Sequence, residues 1–303
     1  MRIVTLCLAV VSLVLFSGCA SLPETNKPSD LLPAAVPAVR KLPRVGLVLG
    51  GGAARGFAHI GVIQVLEEAG IRPDLVVGTS AGSVVAALYA SGKTGREMQS
   101  IAEAMDEASF SDWRLPFFKP GVLKGEALAR FVKSQVDGRQ IQELPMRLGV
   151  VATDLQSGQG VLFQRGDVAT AVRASSAIPA VFQPVSIAGR DYVDGGLVAP
   201  VPVEYARQMG AQVVIAVDIS SAPQTNTALD TFQILMQTFS IMGKRINAFE
   251  LRTADVVVQP ELGGLSSTSF SSRSQAIAAG RLAMLSMMSK LRIATEINTS
   301  IAR

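Results

Sequence analysis

DLVVGTSAGSVVAALYA, the stretch from Asp74 to Ala90, carries the strongest indication of the fold in this sequence. It begins with a short apolar run, passes through Gly-Thr-Ser-Ala-Gly at residues 78–82, and ends in a longer apolar run. This order predicts a strand, a sharp turn and a helix, which is the context that a G-x-S-x-G match needs to form a nucleophile elbow. The candidate nucleophile is Ser80, and glycine is expected at Gly78 and Gly82 because side chains there would strike the crowded backbone.

The rest of the chain alternates between short apolar runs and amphipathic segments. Strands are predicted at 45–49, 75–77, 148–153, 160–164, 213–217 and 256–258, and helices at 57–68, 83–91, 95–107, 124–136, 168–176, 203–209, 228–252 and 273–294. Such alternation predicts an α/β fold with a mainly parallel central sheet that helices cover on both faces.

The N-terminus has the features of an export signal. A basic start is followed by an apolar run over residues 3–16, which is too short to span a membrane. The run ends in Phe16-Ser17-Gly18-Cys19, which resembles the lipobox of bacterial lipoproteins. We therefore expect residues 1–18 to be a lipoprotein signal peptide, Cys19 to be lipidated, and the proline-rich residues 19–43 to tether the domain to the membrane. Ala20 after the cysteine indicates an outer-membrane lipoprotein that faces the periplasm; the alternative is an ordinary secreted protein.

The composition fits a folded enzyme-sized domain better than a nucleic-acid binder. The chain is 49% hydrophobic and 17% charged, and its net charge is only +4. This weak positive charge gives no case for a nucleic-acid partner. Cys7 lies in the predicted signal, so Cys19 is the only cysteine of the mature chain and no intramolecular disulfide is expected.

A glycine-rich loop follows the first predicted strand. Gly50, Gly51, Gly52 and Ala53 precede a predicted helix, an arrangement whose amides form an anion pocket for a phosphate or a tetrahedral oxyanion. A dinucleotide fingerprint would need a glycine at position 53 in this frame, and the lysine of a P-loop is missing. The oxyanion hole is the better interpretation.

A serine nucleophile needs a base. His59 is the only histidine, but it lies in the first predicted helix rather than late in the chain, so we expect it to pack or hydrogen-bond there. The base is then a carboxylate or a lysine. Asp194, before Gly195 and Gly196, is the best candidate because it follows a strand-like segment on a turn; Asp154 and Asp218 also end strands.

Four segments together resemble the patatin-like phospholipases. The stretch from Leu47 to Gly56 is similar to that family's glycine-rich motif, Gly78 to Gly82 to its nucleophile motif, and Asp194 to Gly196 to its D-G-G/A motif. The stretch from Arg173 to Pro179 is similar to a family block that lies between the last two. The resemblance covers about residues 44–220 and marks residues 44–303 as the catalytic domain.

The resemblance implies a three-layer α/β/α sandwich and a serine acyl hydrolase that acts on phospholipid or lysophospholipid through an acyl-serine intermediate. Ser80 would be the nucleophile and Asp194 its base, without any cofactor or metal. The implied oxyanion donors are Gly50, Gly51, Gly52 and Ala53, and the supporting motif residues are Arg55, Gly56, Gly78, Gly82, Gly195 and Gly196. The alternatives are a non-catalytic lipid-binding lipoprotein and an acyltransferase with the same dyad.

Two apolar segments have no assigned role. Phe110, Trp113, Leu115, Phe117 and Phe118 crowd a segment that either forms a lid or is pinned to the core. The predicted helix near 228–252 carries an apolar stripe, which is typical of core, although part of it would suit an acyl groove. The stripe consists of Phe232, Leu235, Met236, Phe239, Met242, Ile246 and Phe249.

Overall fold

The computed structural model describes residues 43–105, 123–220, 230–265 and 270–301. The predicted signal peptide, the lipidation site at Cys19 and the tether up to residue 42 lie outside these ranges, as does the aromatic segment at 110–118. Among the described residues, no helix combines the length and the apolar character that crossing a membrane requires.

An eight-stranded sheet forms the middle of the domain. The strands are β1 (Val45–Leu49), β2 (Leu75–Thr79), β3 (Arg147–Asp154), β4 (Gly160–Phe163), β5 (Val185–Ile187), β6 (Arg190–Asp194), β7 (Val213–Val217) and β8 (Val256–Val258). Their order is β5-β6-β3-β2-β1-β7-β8, and β4 pairs with β3 outside this order. The pairs β3–β2, β2–β1, β1–β7 and β7–β8 are parallel. The pairs β3–β4, β3–β6 and β5–β6, at one end of the sheet, are antiparallel. The prediction of a mainly parallel sheet is confirmed.

Helices cover both faces of this sheet. They are α1 (Phe57–Glu68), α2 (Ala81–Ala90), α3 (Gly95–Ala104), α4 (Glu126–Gln135), α5 (Val168–Ser175), α6 (Val203–Gln208), α7 (Thr231–Glu250) and α8 (Arg273–Ile301). Leu47 and Leu49 of β1 lie in one buried cluster with residues of α1, α2 and α8, while Val48 packs with residues of α6 on the other face. Because successive side chains of a strand point to opposite faces, this division confirms the three-layer α/β/α sandwich.

The β-strand register brings distant parts of the chain to one place. Thr79 at the end of β2 is paired with Val151 of β3, and the next residue of β3, Ala152, is paired with Asp194 of β6. The residues that follow β2 and the last residue of β6 therefore lie at the same level on either side of β3. The loop after β1 joins them, since Leu49 is paired with Gly78.

Candidate active site

Ser80 sits on a strained turn between β2 and α2. Its backbone has φ 52° and ψ −125°, in a region that residues other than glycine rarely adopt. Three hydrogen bonds hold this conformation. The Ser80 amide donates to the Ser175 hydroxyl at 2.9 Å, that hydroxyl donates to the Val151 carbonyl at 2.6 Å, and the Ser83 hydroxyl donates to the Ser80 carbonyl at 2.6 Å. The surrounding structure thus stabilises a backbone geometry that the chain alone would avoid.

The two glycines of the elbow are required by close packing. A Cβ atom at Gly78 would lie 2.5 Å from the Gly82 carbonyl oxygen, and one at Gly82 would lie 2.0 Å from the Leu49 carbonyl oxygen. Real Cβ atoms do not approach backbone oxygens so closely, so a side chain at Gly78 would displace the start of α2, and one at Gly82 would displace the end of β1. The nearby Gly56 is also crowded, because its Cβ would lie 3.0 Å from the Ala81 side chain.

Asp194 faces Ser80 from the end of β6. Its side chain is buried, accepts a hydrogen bond from the Gly196 amide at 2.7 Å, and interacts with the Ser80 side chain. Burial raises the pKa of Asp194 from 3.8 to about 6, although the hydrogen bonds from Ser80 and Gly196 act in the opposite direction. The carboxyl group is therefore a much better base at neutral pH than an exposed aspartate, while still being ionised there.

The turn that carries Asp194 leaves no room for larger residues. A Cβ atom at Gly195 would lie 2.2 Å from the Val151 carbonyl oxygen, and one at Gly196 would lie 2.9 Å from Asp194 Oδ1. The peptide groups of Asp194 are also fixed, since its amide donates to the Ala177 carbonyl at 3.0 Å and its carbonyl accepts from the Thr153 hydroxyl at 2.8 Å.

The glycine-rich loop approaches Ser80 from the other side. A Cβ atom at Gly51 would lie 3.2 Å from the Ser80 Cβ, so the bare loop backbone borders Ser80. The Gly50 amide, however, donates to the Val217 carbonyl at 3.0 Å, and the Gly51 amide donates to the Pro200 carbonyl at 2.9 Å. The expectation that Gly50 and Gly51 donate to an oxyanion is corrected accordingly, because both donors already have partners in the fold.

The amides of Gly52 and Ala53 differ from those of Gly50 and Gly51. Within the described part of the chain, no acceptor is bonded to the amides of Gly52 and Ala53, which lie at the start of the 3-10 turn Ala53–Gly56 that leads into α1. Ala53 has φ 51°, a conformation that glycine adopts more easily. Gly52 packs so tightly on Ile219 that a Cβ there would lie 2.7 Å from the Ile219 side chain.

Arg55 supports the loop from within. Its Nε donates to the Gly52 carbonyl at 3.3 Å, and its side chain also lines the cavity described below. Burial lowers the pKa of Arg55, and the charge of Asp218 partly opposes that effect. The hydrogen bond to Gly52 supports a bracing role for this arginine.

His59 lies under the loop rather than beside the serine. It is fully buried, and its Nε2 is 2.8 Å from the Gly50 carbonyl oxygen, so Nε2 carries the proton and donates. Nδ1 is buried without a hydrogen-bond partner among the described residues. Burial lowers the pKa of His59 to about 4, so the ring is neutral at physiological pH. Its geometry assigns it to the support of Gly50 and not to proton transfer with Ser80.

The two other candidate carboxylates have partners elsewhere. Asp154 accepts hydrogen bonds from the Gln156 and Ser157 amides and forms an ion pair with Arg190, which holds its pKa far below the usual value. Asp218 accepts from the Ser220 amide and from the side chains of Asn247 and Gln259. Each carboxylate stabilises a turn or a helix contact, and neither lines the cavity at Ser80.

A cavity of about 300 Å³ opens above Ser80 and Asp194. Its walls are largely apolar and come from the glycine-rich loop, the segment after α5, the turn after β6 and one face of α7. Lining residues include Ile178, Val181, Leu197, Pro200, Met236 and Phe239. A cavity of this size and character suits a largely apolar ligand beside the Ser80 hydroxyl.

The sequence pattern predicts that the apolar stripe of helix α7 belongs to the core, but the structure exposes part of it. Met236 and Phe239 line the cavity, in agreement with the acyl-groove alternative, whereas Met242 and Phe249 are 48% and 68% exposed. The side chain of Phe232 lies outside the described residues. The sequence pattern predicted an amphipathic helix but not which of its faces meets the cavity.

Ser175 is a residue that motif matching alone did not assign. It lies in the stretch from Arg173 to Pro179 that resembles a family block, and its hydroxyl bridges the Ser80 amide and β3. No group of three or more histidine, cysteine, aspartate or glutamate side chains suited to a metal occurs in the described ranges.

The chain is similar to known proteins of one family. The family model for patatin-like phospholipases matches residues 47–207. An NTE family protein of Mycobacterium tuberculosis is 38% identical over 181 residues, which are 59% of this chain and 50% of that protein. The human patatin-like phospholipase domain-containing protein 6 is 33% identical over 229 residues, which are 74% of this chain and 16% of that protein. The chain thus spans half or less of these relatives.

The fold is also found in a solved structure. VipD from Legionella pneumophila superposes with a TM-score of 0.50 at 16% sequence identity, over 82% of this chain and 67% of that one. At this identity the likeness concerns the fold alone. The family match covers more than half of the chain and includes Ser80 and Asp194, and the chain therefore belongs to the patatin-like phospholipase family.

Proposed function

We propose that this protein is a serine acyl hydrolase that cleaves fatty acyl esters of phospholipid or lysophospholipid. The observation that carries the proposal is the meeting of Ser80, on its strained elbow, with the buried carboxyl group of Asp194 at the floor of a largely apolar cavity. Membership of a family of lipid hydrolases supports it.

In the first half of the reaction, Ser80 Oγ attacks the ester carbonyl carbon while Asp194 takes the hydroxyl proton. The carbonyl oxygen becomes an oxyanion, and the free amides of Gly52 and Ala53 are the donors that the loop offers to it. When the C–O bond to the alcohol breaks, Asp194 returns the proton to the leaving oxygen. The acyl group then remains on Ser80 as an ester.

In the second half, water replaces the alcohol. Asp194 takes a proton from the water as its oxygen attacks the acyl carbonyl carbon, and the proton returns to Ser80 as the fatty acid leaves. The raised pKa of Asp194, about 6, places its proton affinity near the operating pH, where general-base catalysis works best. No histidine takes part in either step.

Turnover of a short p-nitrophenyl ester by the full-length protein tests this assignment. We expect Ser80→Ala and Asp194→Asn to lower kcat by about a thousandfold or more, since the nucleophile or the proton acceptor is lost. Far-ultraviolet circular dichroism controls for folding. Near-parent activity in either folded variant would refute the dyad, and no turnover by the parent protein on any acyl ester would favour a non-catalytic lipid-binding protein. Ester exchange onto an added alcohol in preference to water would favour an acyltransferase.

The cellular location is a separate part of the proposal. We propose that Cys19 is lipidated and that residues 19–43 tether the catalytic domain to the periplasmic face of the outer membrane. The support is the lipobox-like sequence before Cys19 and the proline content of the segment that follows. Metabolic labelling with a palmitate analogue tests it, with Cys19→Ser as the variant that should lose the label.

A further inference from the structure

Helix α7 carries two different apolar faces. One face, with Met236, Phe239 and Gly243, borders the cavity. The other carries Ile234, Ile241, Met242 and Phe249, whose exposed fractions are 54%, 49%, 48% and 68%. Ile234, Ile241 and Phe249 are separated by seven and eight residues, so they lie on one side of a helix with 3.6 residues per turn. We call these four residues the outer face of α7.

The outer face has a basic character. Arg245 is exposed on the same helix, Lys244 is exposed beside it at the edge of the cavity, and the sequence from Thr231 to Phe249 contains no acidic residue. Large exposed apolar side chains next to lysine and arginine are typical of helices that lie in the interfacial region of a bilayer. The apolar groups enter the membrane there, and the cations contact anionic headgroups. An exposed apolar surface of this kind marks an interaction site.

The position of the helix favours a lipid surface over a second copy of the chain. Because α7 forms one wall of the cavity at Ser80, a bilayer seated on its outer face would lie next to the place where an acyl ester must enter. A symmetric contact between two copies would instead place the basic residues of both helices in one interface to which the stretch from Thr231 to Phe249 contributes no acidic partner, so the like charges would repel.

We propose that the outer face of α7 docks the domain onto an anionic lipid surface, with Ile234, Ile241, Met242 and Phe249 inserted at the level of the headgroups. The role of this docking in delivering lipid to Ser80 rests on the proposed function, but the docking itself can be measured without turnover. It is distinct from the lipid anchor proposed for Cys19.

A local probe tests the docking in the full-length chain. The background carries Cys7→Ser and Cys19→Ser, which removes both native thiols and the proposed lipidation site. An environment-sensitive nitrobenzoxadiazole fluorophore is attached to Ile241→Cys or, as the matched control, to Leu282→Cys on α8. Leu282 is 69% exposed on a helix and does not line the cavity.

We expect vesicles of phosphatidylcholine and phosphatidylglycerol to shift the emission of the label at position 241 to shorter wavelength and to raise it about twofold or more, because the label leaves water. The label at position 282 should not respond. Vesicles of phosphatidylcholine alone, or added 0.5 M salt, should weaken the response at position 241, since each basic residue near an anionic surface strengthens binding by about fivefold. Equal responses at both positions, or none at position 241, would overturn the proposal.

Two further measurements separate the alternatives. The double variant Ile241→Ser/Phe249→Ser should hydrolyse vesicle phospholipid about tenfold more slowly than the parent while its rate on a soluble short ester stays unchanged. Equal loss on both substrates would overturn docking as the cause. A dimer of the parent in light scattering that this double variant dissociates would overturn it in favour of a second copy. A label at position 241 that responds in a protein without any esterase activity would leave the docking intact and refute the proposed function.

Discussion

Replacement of Ser175 by alanine tests what holds Ser80 in place without removing the Ser80 hydroxyl. The Ser175 hydroxyl is fully buried and accepts from the Ser80 amide at 2.9 Å while it donates to the Val151 carbonyl at 2.6 Å. Ser175→Ala removes both bonds and leaves the Ser80 amide without its acceptor in a residue whose φ is 52°. The neighbouring Ser176 is also buried, but its hydroxyl has no partner among the described residues, so Ser176→Ala is a matched control.

The magnitude follows from the two lost hydrogen bonds. An unsatisfied buried amide costs about 1–3 kcal/mol and a second lost bond about 1 kcal/mol, so Ser175→Ala should lower the free energy of unfolding by about 2–4 kcal/mol. The turn at Ser80 also loses part of what holds its strained backbone. A displacement of the nucleophile by about 1 Å lowers the rate of the chemical step by about a hundredfold.

Urea unfolding and ester hydrolysis provide the two readouts. We expect Ser175→Ala to lower kcat on a short p-nitrophenyl ester by about a hundredfold with little change in KM, because the cavity that binds the acyl group is not altered. Ser176→Ala should change the free energy of unfolding by less than about 0.5 kcal/mol and leave kcat near that of the parent. Equal behaviour of the two variants in both assays would refute the role assigned to the Ser175 hydroxyl.

Three further predictions concern the base and the glycines. In a plot of kcat/KM against pH, the value should fall below about pH 6 as Asp194 gains a proton, and His59→Gln should not change the pH at which it falls. A different midpoint of this fall in the His59→Gln variant would mean that His59 takes part in the reaction. Burial raises the pKa of Asp194 from 3.8 to about 6, so the folded state binds the proton more tightly than the unfolded state, and this contribution to stability is lost as pH rises from about 4 to 6. In urea unfolding, Asp194→Asn should therefore have a free energy of unfolding about 3 kcal/mol above that of the parent at pH 8 and no higher at pH 4; a less stable variant at pH 8 would contradict this. Gly82→Ala should destabilise the fold by about 3 kcal/mol or more because its Cβ would lie 2.0 Å from a main-chain oxygen of β1, whereas Gly263→Ala, with nothing within 4 Å, should be neutral; similar thermal midpoints would contradict the packing argument.

The sequence predicted the centre of the fold best, where local pattern and tertiary packing agree. The bounds of β1, α1 and β7 coincide with the predicted ranges 45–49, 57–68 and 213–217 because each is an uninterrupted apolar or amphipathic run. The antiparallel end was missed in part. Strand β5 has only three residues, and it turns into β6 through Ala188 and Gly189, which both have positive φ. A two-residue hairpin turn usually contains Asn-Gly or Asp-Gly, so the Ala-Gly sequence here did not predict a hairpin.

The site could be predicted as a set of motifs but not as a network of hydrogen bonds. Ser80, Asp194 and the glycine-rich loop were identified from residue types and order, and the register of β2, β3 and β6 shows why they meet. The loop amides could not be assigned from sequence, since their partners on Val217 and Pro200 come from distant segments. The hydrogen bonds of the Ser175 hydroxyl to Ser80 and Val151 could not be predicted either, because these partners are also distant in sequence.

The sequence also did not predict which sides of α7 are buried. Its apolar residues occur on more than one side of the helix, so periodicity alone indicated core. In the structure the helix forms a wall of the cavity with one side and is exposed on the other.

Labelling of the full-length protein with a fluorophosphonate, followed by mass mapping of the adduct, determines whether Ser80 is the nucleophile and Asp194 its base. We predict a single adduct on Ser80, formed rapidly by the parent and at least about a hundredfold more slowly by Asp194→Asn, because only a serine with a nearby base reacts quickly. An adduct on another serine, or labelling of Ser80 at an equal rate in both proteins, would contradict it.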